Sequence, residues 1–425
     1  MSKSLSSLLL IALTAAACSK INQKPAQPSF DLPPDATGEQ VREAHKIEMA
    51  KRKAARVTSD QDTEVAATSL DAAIKMGERN LDWLKHINSK LTSTQSLSFS
   101  SKSTMTGYPI DKPNRYSDKL ALARYNQAVK DMPAAMYKVL IKGEAFTDTP
   151  PVDLKVYLEW GLKLDKIYQT SARWQMMQTY LPYLAQRRMQ DVRGYYFLNI
   201  EPDLENKLRN FKTLAAADQA RLGEWLVLIC FNTEGAQEAC ENFVKSQTTA
   251  GKVWDLYIRY NPRAKRLFNS YFDITSKRSD ITWNESVLVY PFRDPQNNPV
   301  EVYLKTNIED EWKWNGWSLT LKFTPDALTH VEFQPGTTPH VNGLAGSTIT
   351  MDANAPLTEW DVQWTIRHEF GHSLGFPDCY VEFYEPSSKE IVNYQIDTSN
   401  LMCSRMGVLQ QKHYDELKKA YSVKR

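Results

Sequence analysis

The spacing of apolar residues along this 425-residue chain changes character near residue 250. Residues 37–92 are rich in Ala, Glu, Lys and Arg and contain no proline, and Leu81, Leu84 and Ile87 recur at helical spacing. A serine-rich stretch near 92–116 (Ser93, Ser96, Ser98, Ser100, Ser101, Ser103) interrupts the pattern, followed by Pro109 and Pro113. Helical spacing then returns in Leu154, Tyr157, Leu158 and Leu162, and again in Leu222, Trp225, Leu226 and Ile229. Residues 37–249 therefore read as a helical domain.

Beyond residue 250 the pattern favours β-structure. Val253–Tyr260 reads as a strand, and Asn261–Phe272 as a short helix with Pro262 in its first turn. Ile281–Phe292 and Val300–Thr306 cluster β-formers. Trp312-Lys313-Trp314 and Trp317–Phe323 flank Asn315-Gly316, the dipeptide of a two-residue hairpin turn. Ser347–Met351 adds a short strand, Tyr380–Tyr384 and Ile391–Ile396 a second hairpin, and Leu409–Tyr421 a closing helix. The expected fold class is α+β: an all-helical region, then a 250–425 domain whose mixed twisted sheet feeds one long helix.

Charge narrows the partners. The 52 Lys+Arg nearly cancel 50 Asp+Glu, leaving +2, with no run of five or more like charges. No nucleic-acid footprint is present, so no nucleic-acid partner is expected. A sustained apolar run occurs only in the first 20 residues, which excludes a polytopic membrane protein. There Lys3, the apolar Leu8–Leu13 and Ala15-Ala16-Ala17 form a signal peptide over 1–17. Cys18 directly after the alanines resembles the bacterial lipoprotein signal, although Ala15 stands where leucine is commonest. The resemblance implies lipidation of Cys18, a membrane partner through that anchor, and a cell-envelope location; Ser19 points to the outer membrane. An ordinary secretory signal is the alternative. Residues 18–36, with Pro25, Pro28, Pro33 and Pro34, read as a flexible tether.

Setting Cys18 aside, Cys230, Cys240, Cys379 and Cys403 remain. In an oxidising compartment an even number suggests two disulfides, and the local pairs Cys230–Cys240 and Cys379–Cys403 are the most economical of three pairings. Four reduced thiols are the alternative.

The chemistry concentrates in His368-Glu369-Phe370-Gly371-His372-Ser373-Leu374-Gly375-Phe376-Pro377-Asp378. Val362, Ile366, Phe370 and Leu374 form an apolar stripe on a helix, and His368 and His372 lie about 200° away from it. Two imidazoles four residues apart can share one zinc ion. Glu369, beside them, suits a general base acting on an activated water. Gly375 and Pro377 stop the helix, and the ensuing turn can return Asp378 as a third, oxygen ligand. Three protein ligands leave one position open, the catalytic arrangement.

His368, Glu369, His372, Gly375 and Asp378 together resemble the extended zinc-binding motif of the metzincin metalloproteases. Aspartate as third ligand is similar to the snapalysin type. The resemblance covers at most 250–425 and implies an endopeptidase with one catalytic Zn2+, Glu369 as base and a protein or peptide substrate. It implies a methionine turn at Met402 and a substrate-pairing edge strand near Gly343, Gly346, Ser347 and Thr348. Some metzincins carry a tyrosine two residues after the methionine; Ser404 stands there. A Cys379–Cys403 disulfide would tie the ligand loop to the turn, and a cysteine zinc ligand is the rival reading. Three other readings stay open. One is an inactive envelope lipoprotein acting as a binding or scaffold module. A second is a zinc peptidase with a distant glutamate ligand (Glu382, Glu385 or Glu390). The third makes the helical region a scaffold or a prosegment over the cleft. His45, His86, His330, His340 and His413 lack ligand spacing and read as ordinary surface or satisfied residues.

Overall fold

The computed structural model describes residues 69–422 except 92–96, 98, 100–106, 248, 359 and 405. The signal peptide, Cys18, the tether and the first part of the helical region lie outside the described residues. Among the described residues, no helix is long and apolar enough to cross a membrane.

The first helices are α1 (Asp71–Lys90), α2 (Asp118–Asp131), α3 (Ala134–Leu140) and α4 (Leu154–Met177). They close on a core that includes Trp83, Ile87, Tyr125, Met136, Tyr157 and Leu164. A strand, β1 (Asn114–Tyr116), precedes α2. Next come α5 (Leu181–Arg187), α6 (Arg193–Ile200), α7 (Leu204–Arg209), α8 (Ala216–Glu234), α9 (Gln237–Ser246) and α10 (Lys252–Asn269). A second core forms between α6 and α10, and the Cys230–Cys240 disulfide joins α8 to α9 within it.

Helix α10 replaces the strand expected at Val253–Tyr260. Val253, Leu256, Tyr257, Tyr260 and Ala264 fall three or four apart and bury together against the second core, so a helical period outweighs the β-propensity of the residues themselves. Pro262 sits inside this helix, not in a first turn, on a segment whose neighbour Ile258 faces solvent. The packing consequently does not divide at residue 250.

The β-structure forms three sheets in place of the single mixed sheet expected. The first contains β2 (Thr282–Trp283), β3 (Val287–Arg293), β4 (Lys313–Trp314) and β5 (Trp317–Thr324), in the order β2-β3-β5-β4. Asn315 and Gly316 both take positive φ and Trp314 pairs with Trp317, as the hairpin signal required. Strands β3 and β5 run parallel, so their connection must cross over, and α11 (Asn298–Leu304) makes the crossing. That helix overturns the strand reading of Val300–Thr306. Asn297 caps it by accepting the Val300 N–H at 3.3 Å, and Pro299 occupies the first turn.

The second sheet holds β6 (His330–Gln334), β7 (His340–Val341) and β8 (Thr348–Asp352), in the order β6-β8-β7. Helix α12 (Trp360–Ser373) follows, then β9 (Tyr380–Glu385), β10 (Glu390–Gln395) and α13 (Gln411–Tyr421). The β9–β10 hairpin acquires β1 as a third strand, with Tyr116 opposite Ile391. A segment of the helical region thus completes a sheet of the C-terminal half. Nearby, the buried Asp191 carboxylate accepts the Tyr394 hydroxyl at 2.8 Å and pairs with Arg193 at 2.6 Å.

Helix α12 is seated by its apolar stripe. Val362, Ile366, Phe370 and, just past the helix, Leu374 are buried, and the Phe370 ring lies 4.8 Å from that of Tyr290 on β3. Trp312 packs on the same ring and donates its indole N–H to the Arg367 carbonyl at 3.2 Å.

A 250–425 fragment would lack β1 and the helices that cover α10. It would expose Val253, Leu256, Tyr257 and Tyr260, at a cost of about 1.5–3 kcal/mol for each large apolar side chain. Near-ultraviolet circular dichroism is expected to show a cooperative thermal transition for the full chain and none for the fragment; equal transitions would mean that the C-terminal half folds alone.

Candidate metal centre

Both histidines lie on the last turns of α12, their rings 4.9 Å apart and nearly perpendicular. Each is anchored through Nδ1. His368 donates to the Leu401 carbonyl and His372 to the Phe376 carbonyl, both at 2.8 Å. With Nδ1 carrying the donated proton, Nε2 is the atom left to bind a cation. The two Nε2 atoms converge on Asp378 Oδ1, at 3.2 Å from His368 and 3.3 Å from His372. Ligand atoms of the three residues lie within 4.8 Å of one another, so the group could hold a metal ion. Oδ1 is buried yet accepts no well-directed hydrogen bond, a costly state for a carboxylate oxygen that a cation would relieve.

The bend that returns Asp378 depends on glycine. Gly375 has φ of +98°, and a Cβ there would sit 2.0 Å from the Ser276 carbonyl oxygen. Gly371, between the two histidines, is equally constrained: a Cβ would come within 2.3 Å of Met402 Sδ. The methionine therefore packs directly beneath the helix turn that carries the imidazoles. Its own turn, 399–403, is pinned from several sides. Asn400 Oδ1 accepts the Met402 N–H at 2.7 Å, Cys379 N–H donates to the Met402 carbonyl at 3.0 Å, and a disulfide joins Cys379 to Cys403. Both cysteine pairs are the local ones expected. Sulfur bound in a disulfide leaves no thiolate, so the reading of a cysteine as metal ligand falls.

Charges within the site are coupled. Burial opposes a proton on His372, but the Asp378 carboxylate outweighs it and the pKa is pushed up to about 9. Burial alone would raise Asp378, yet His372 and His368 hold it well below the usual carboxylate range. Glu369 is 8 % exposed, and its charge also favours the protonated form of His372.

Other expectations are revised. Strand β8 is the central strand of its sheet, so Gly346, Ser347 and Thr348 offer no free edge. The Gly346 N–H is bonded to Gly343, the Ser347 carbonyl to His330 N–H, and both Thr348 backbone groups to Asn342. The distant glutamates are engaged elsewhere. Glu382 binds Tyr116 and Arg173, while Glu385 and Glu390 bind Arg115. His86 pairs with Asp148, and His330 and His340 bond within their own segments, all as ordinary satisfied residues, while His45 lies outside the described residues.

His413 is of the satisfied kind, and its bonds reach the turn at Met402. It accepts the Gln410 N–H at Nδ1 (2.9 Å), which leaves Nε2–H to donate to Asn400 Oδ1 at 3.0 Å. It thus holds the residue that caps the Met402 turn. The signal was its position on the buried face of an amphipathic helix beside the motif, which ligand spacing does not test. Burial, helped by Lys412, pushes its pKa down to about 3. No protein-family model matches the chain, and no curated protein or solved structure matches it.

Two outcomes follow from these charges. Because the Asp378 carboxylate favours a proton on His372, a cation must displace that proton to use Nε2. Calorimetry near pH 7.5 in buffers of different ionisation enthalpy should therefore report release of about one proton per zinc ion bound; no release would show His372 to be neutral already. For His413, whose pKa falls from 6.5 to about 3 on folding, stability is complete above 6.5 and lost as the pH falls towards 3. Unfolding free energy should drop by roughly 1.4 kcal/mol per pH unit in that window from this group, and less steeply in His413→Gln. Parallel curves for the two proteins would remove His413 as the source.

Proposed function

We propose that the chain is a zinc-dependent endopeptidase, carried by one observation: His368 Nε2, His372 Nε2 and Asp378 Oδ1 converge beside Glu369. Two imidazoles and one carboxylate suit zinc, and three protein ligands leave room for a further one. Zinc bound there would serve as a Lewis acid, activating water and polarising the scissile carbonyl. Glu369 takes the proton from the attacking water onto its carboxylate and returns it to the leaving amine nitrogen. The Leu401 and Phe376 carbonyls keep both imidazoles in the tautomer the chemistry needs.

At the level of the site, the resemblance to the snapalysin-type metzincins is supported by the Gly375 bend, the aspartate ligand and Met402 against Gly371. The substrate is a protein or peptide. With β8 enclosed, the edge nearest α12 on which an extended backbone could add is β7. Two disulfides support an exported, envelope-located protein, in keeping with the lipoprotein-like Cys18. The inactive-scaffold reading is disfavoured by the intact Glu369, and the distant-glutamate reading by the engagement of Glu382 with Arg173.

Glu369→Gln is expected to lower kcat/KM on a casein substrate by about 10²–10⁴-fold while zinc content stays at that of the wild type. Normal cleavage by this variant would remove Glu369 as the base.

A further inference from the structure

Two stretches of chain meet at His368: the helix that carries it, and the turn whose Leu401 carbonyl accepts its Nδ1–H at 2.8 Å. That bond keeps its geometry only if helix and turn stay aligned with each other. A tie between them is needed, and Glu311 supplies one.

Helix α11 continues through a π-helical turn, Lys305–Glu309, and ends at Glu311. The Glu311 side chain is 8 % exposed, and both of its carboxylate oxygens are bonded. Oε2 accepts Arg367 Nη1 at 3.0 Å, and Oε1 accepts the Leu409 N–H at 2.8 Å. Arg367 directly precedes His368 on α12, and a second of its nitrogens, Nη2, reaches Asn307 Oδ1 at 3.3 Å. Leu409 follows Val408, which lies along the turn. The Val408 N–H donates to the Ser399 carbonyl at 2.9 Å, and the Val408 carbonyl accepts the Leu401 N–H at 3.2 Å. The bonds therefore close a ring. It runs from Glu311 to Arg367, along the helix to His368, across to Leu401, and back through Val408 and Leu409.

We propose that Glu311 is a positioning residue for the metal centre: its carboxylate spans α12 and the segment after the Met402 turn, and so sets the bond from His368 Nδ1 to Leu401. This role rests on the metal-centre reading above. A carboxylate suits the task, because its two oxygens take two donors at once, and the ionic bond to Arg367 is the stronger for being charge-assisted. His372 provides an internal comparison, since its Nδ1 partner, the Phe376 carbonyl, is local and stands outside the ring.

The imidazole proton–nitrogen correlation spectrum of the zinc-loaded full chain tests this on wild type, Glu311→Gln and Glu311→Asp. Glutamine keeps the shape but offers a single acceptor oxygen; aspartate keeps the charge but is one methylene too short to span both donors. Zinc affinity, by competition with a chromophoric chelator, and the metal-free melting temperature are recorded for each. The expected result is a shifted and faster-exchanging Nδ1–H signal for His368, with that of His372 unchanged. Zinc binding should be about tenfold weaker, the low end of the loss on removing an outer partner of a metal ligand. Should the glutamine variant fail to fold, the aspartate variant carries the test. An unchanged His368 signal would overturn the role, whatever the melting temperature or affinity. So would equal changes at the two histidines, or failure of both variants to fold, since these mark a structural glutamate only. A wild type that takes up no zinc would remove the metal centre itself, an outcome separate from a zinc-loaded wild type matched by its variants.

Discussion

An imidazole can present a lone pair in a chosen direction only if its other nitrogen is held. In this chain two backbone carbonyls do the holding, one for each ring. The Phe376 carbonyl is local, just past the end of the helix that carries His372. The Leu401 carbonyl is remote and belongs to the turn beneath. Helical spacing alone would bring the rings near each other without setting tautomer or tilt. The geometry at Nε2 is therefore only as good as the placement of residues 399–403, and much of the surrounding structure serves that placement.

The restraints on this turn differ in kind. The Cys379–Cys403 disulfide restricts distance but not orientation. Asn400 and His413 supply orientation through directed hydrogen bonds. Met402 against Gly371 sets the depth at which the turn packs, because glycine alone lets sulfur come that close to the helix. Cys379 and the candidate ligand Asp378 are neighbours in sequence, so the covalent restraint and a bound cation would act on the same few bonds. A cation held there would accordingly reinforce closure of the 376–403 segment.

The centre was more legible in the sequence than the scaffold. The residues that place His368, His372 and Asp378 are local: a four-residue spacing, a helix stop and a bend, all within one short segment. The hairpin at Asn315-Gly316 was readable for the same reason, since its turn chemistry needs no distant partner. Segment 253–260 was misread because Val, Trp and Tyr carry β-propensity while their spacing is helical, and its burial partners lie on α6 to α9. The place of β8 in its sheet depends on β6 and β7, so a pattern of apolar residues could announce a strand but not an edge. His413 escaped because a histidine that positions a turn obeys no ligand spacing.

The way the two halves join also bears on the role of the helical region. A removable cover parts from what it covers without leaving buried charge or open backbone. Withdrawal of the helical elements would leave Glu382, 3 % exposed, without Tyr116 or Arg173, and strand β10 without β1 along one edge. Stranding one member of a buried ion pair costs about 3–5 kcal/mol, and an opened sheet edge invites aggregation. Tyr394 would likewise lose the Asp191 carboxylate that its buried hydroxyl binds. These penalties favour helices that are a permanent wall of the centre over ones cut away to expose it. Their buried ion pairs demand one register of helix against hairpin, which greasy contacts alone would leave free to slip.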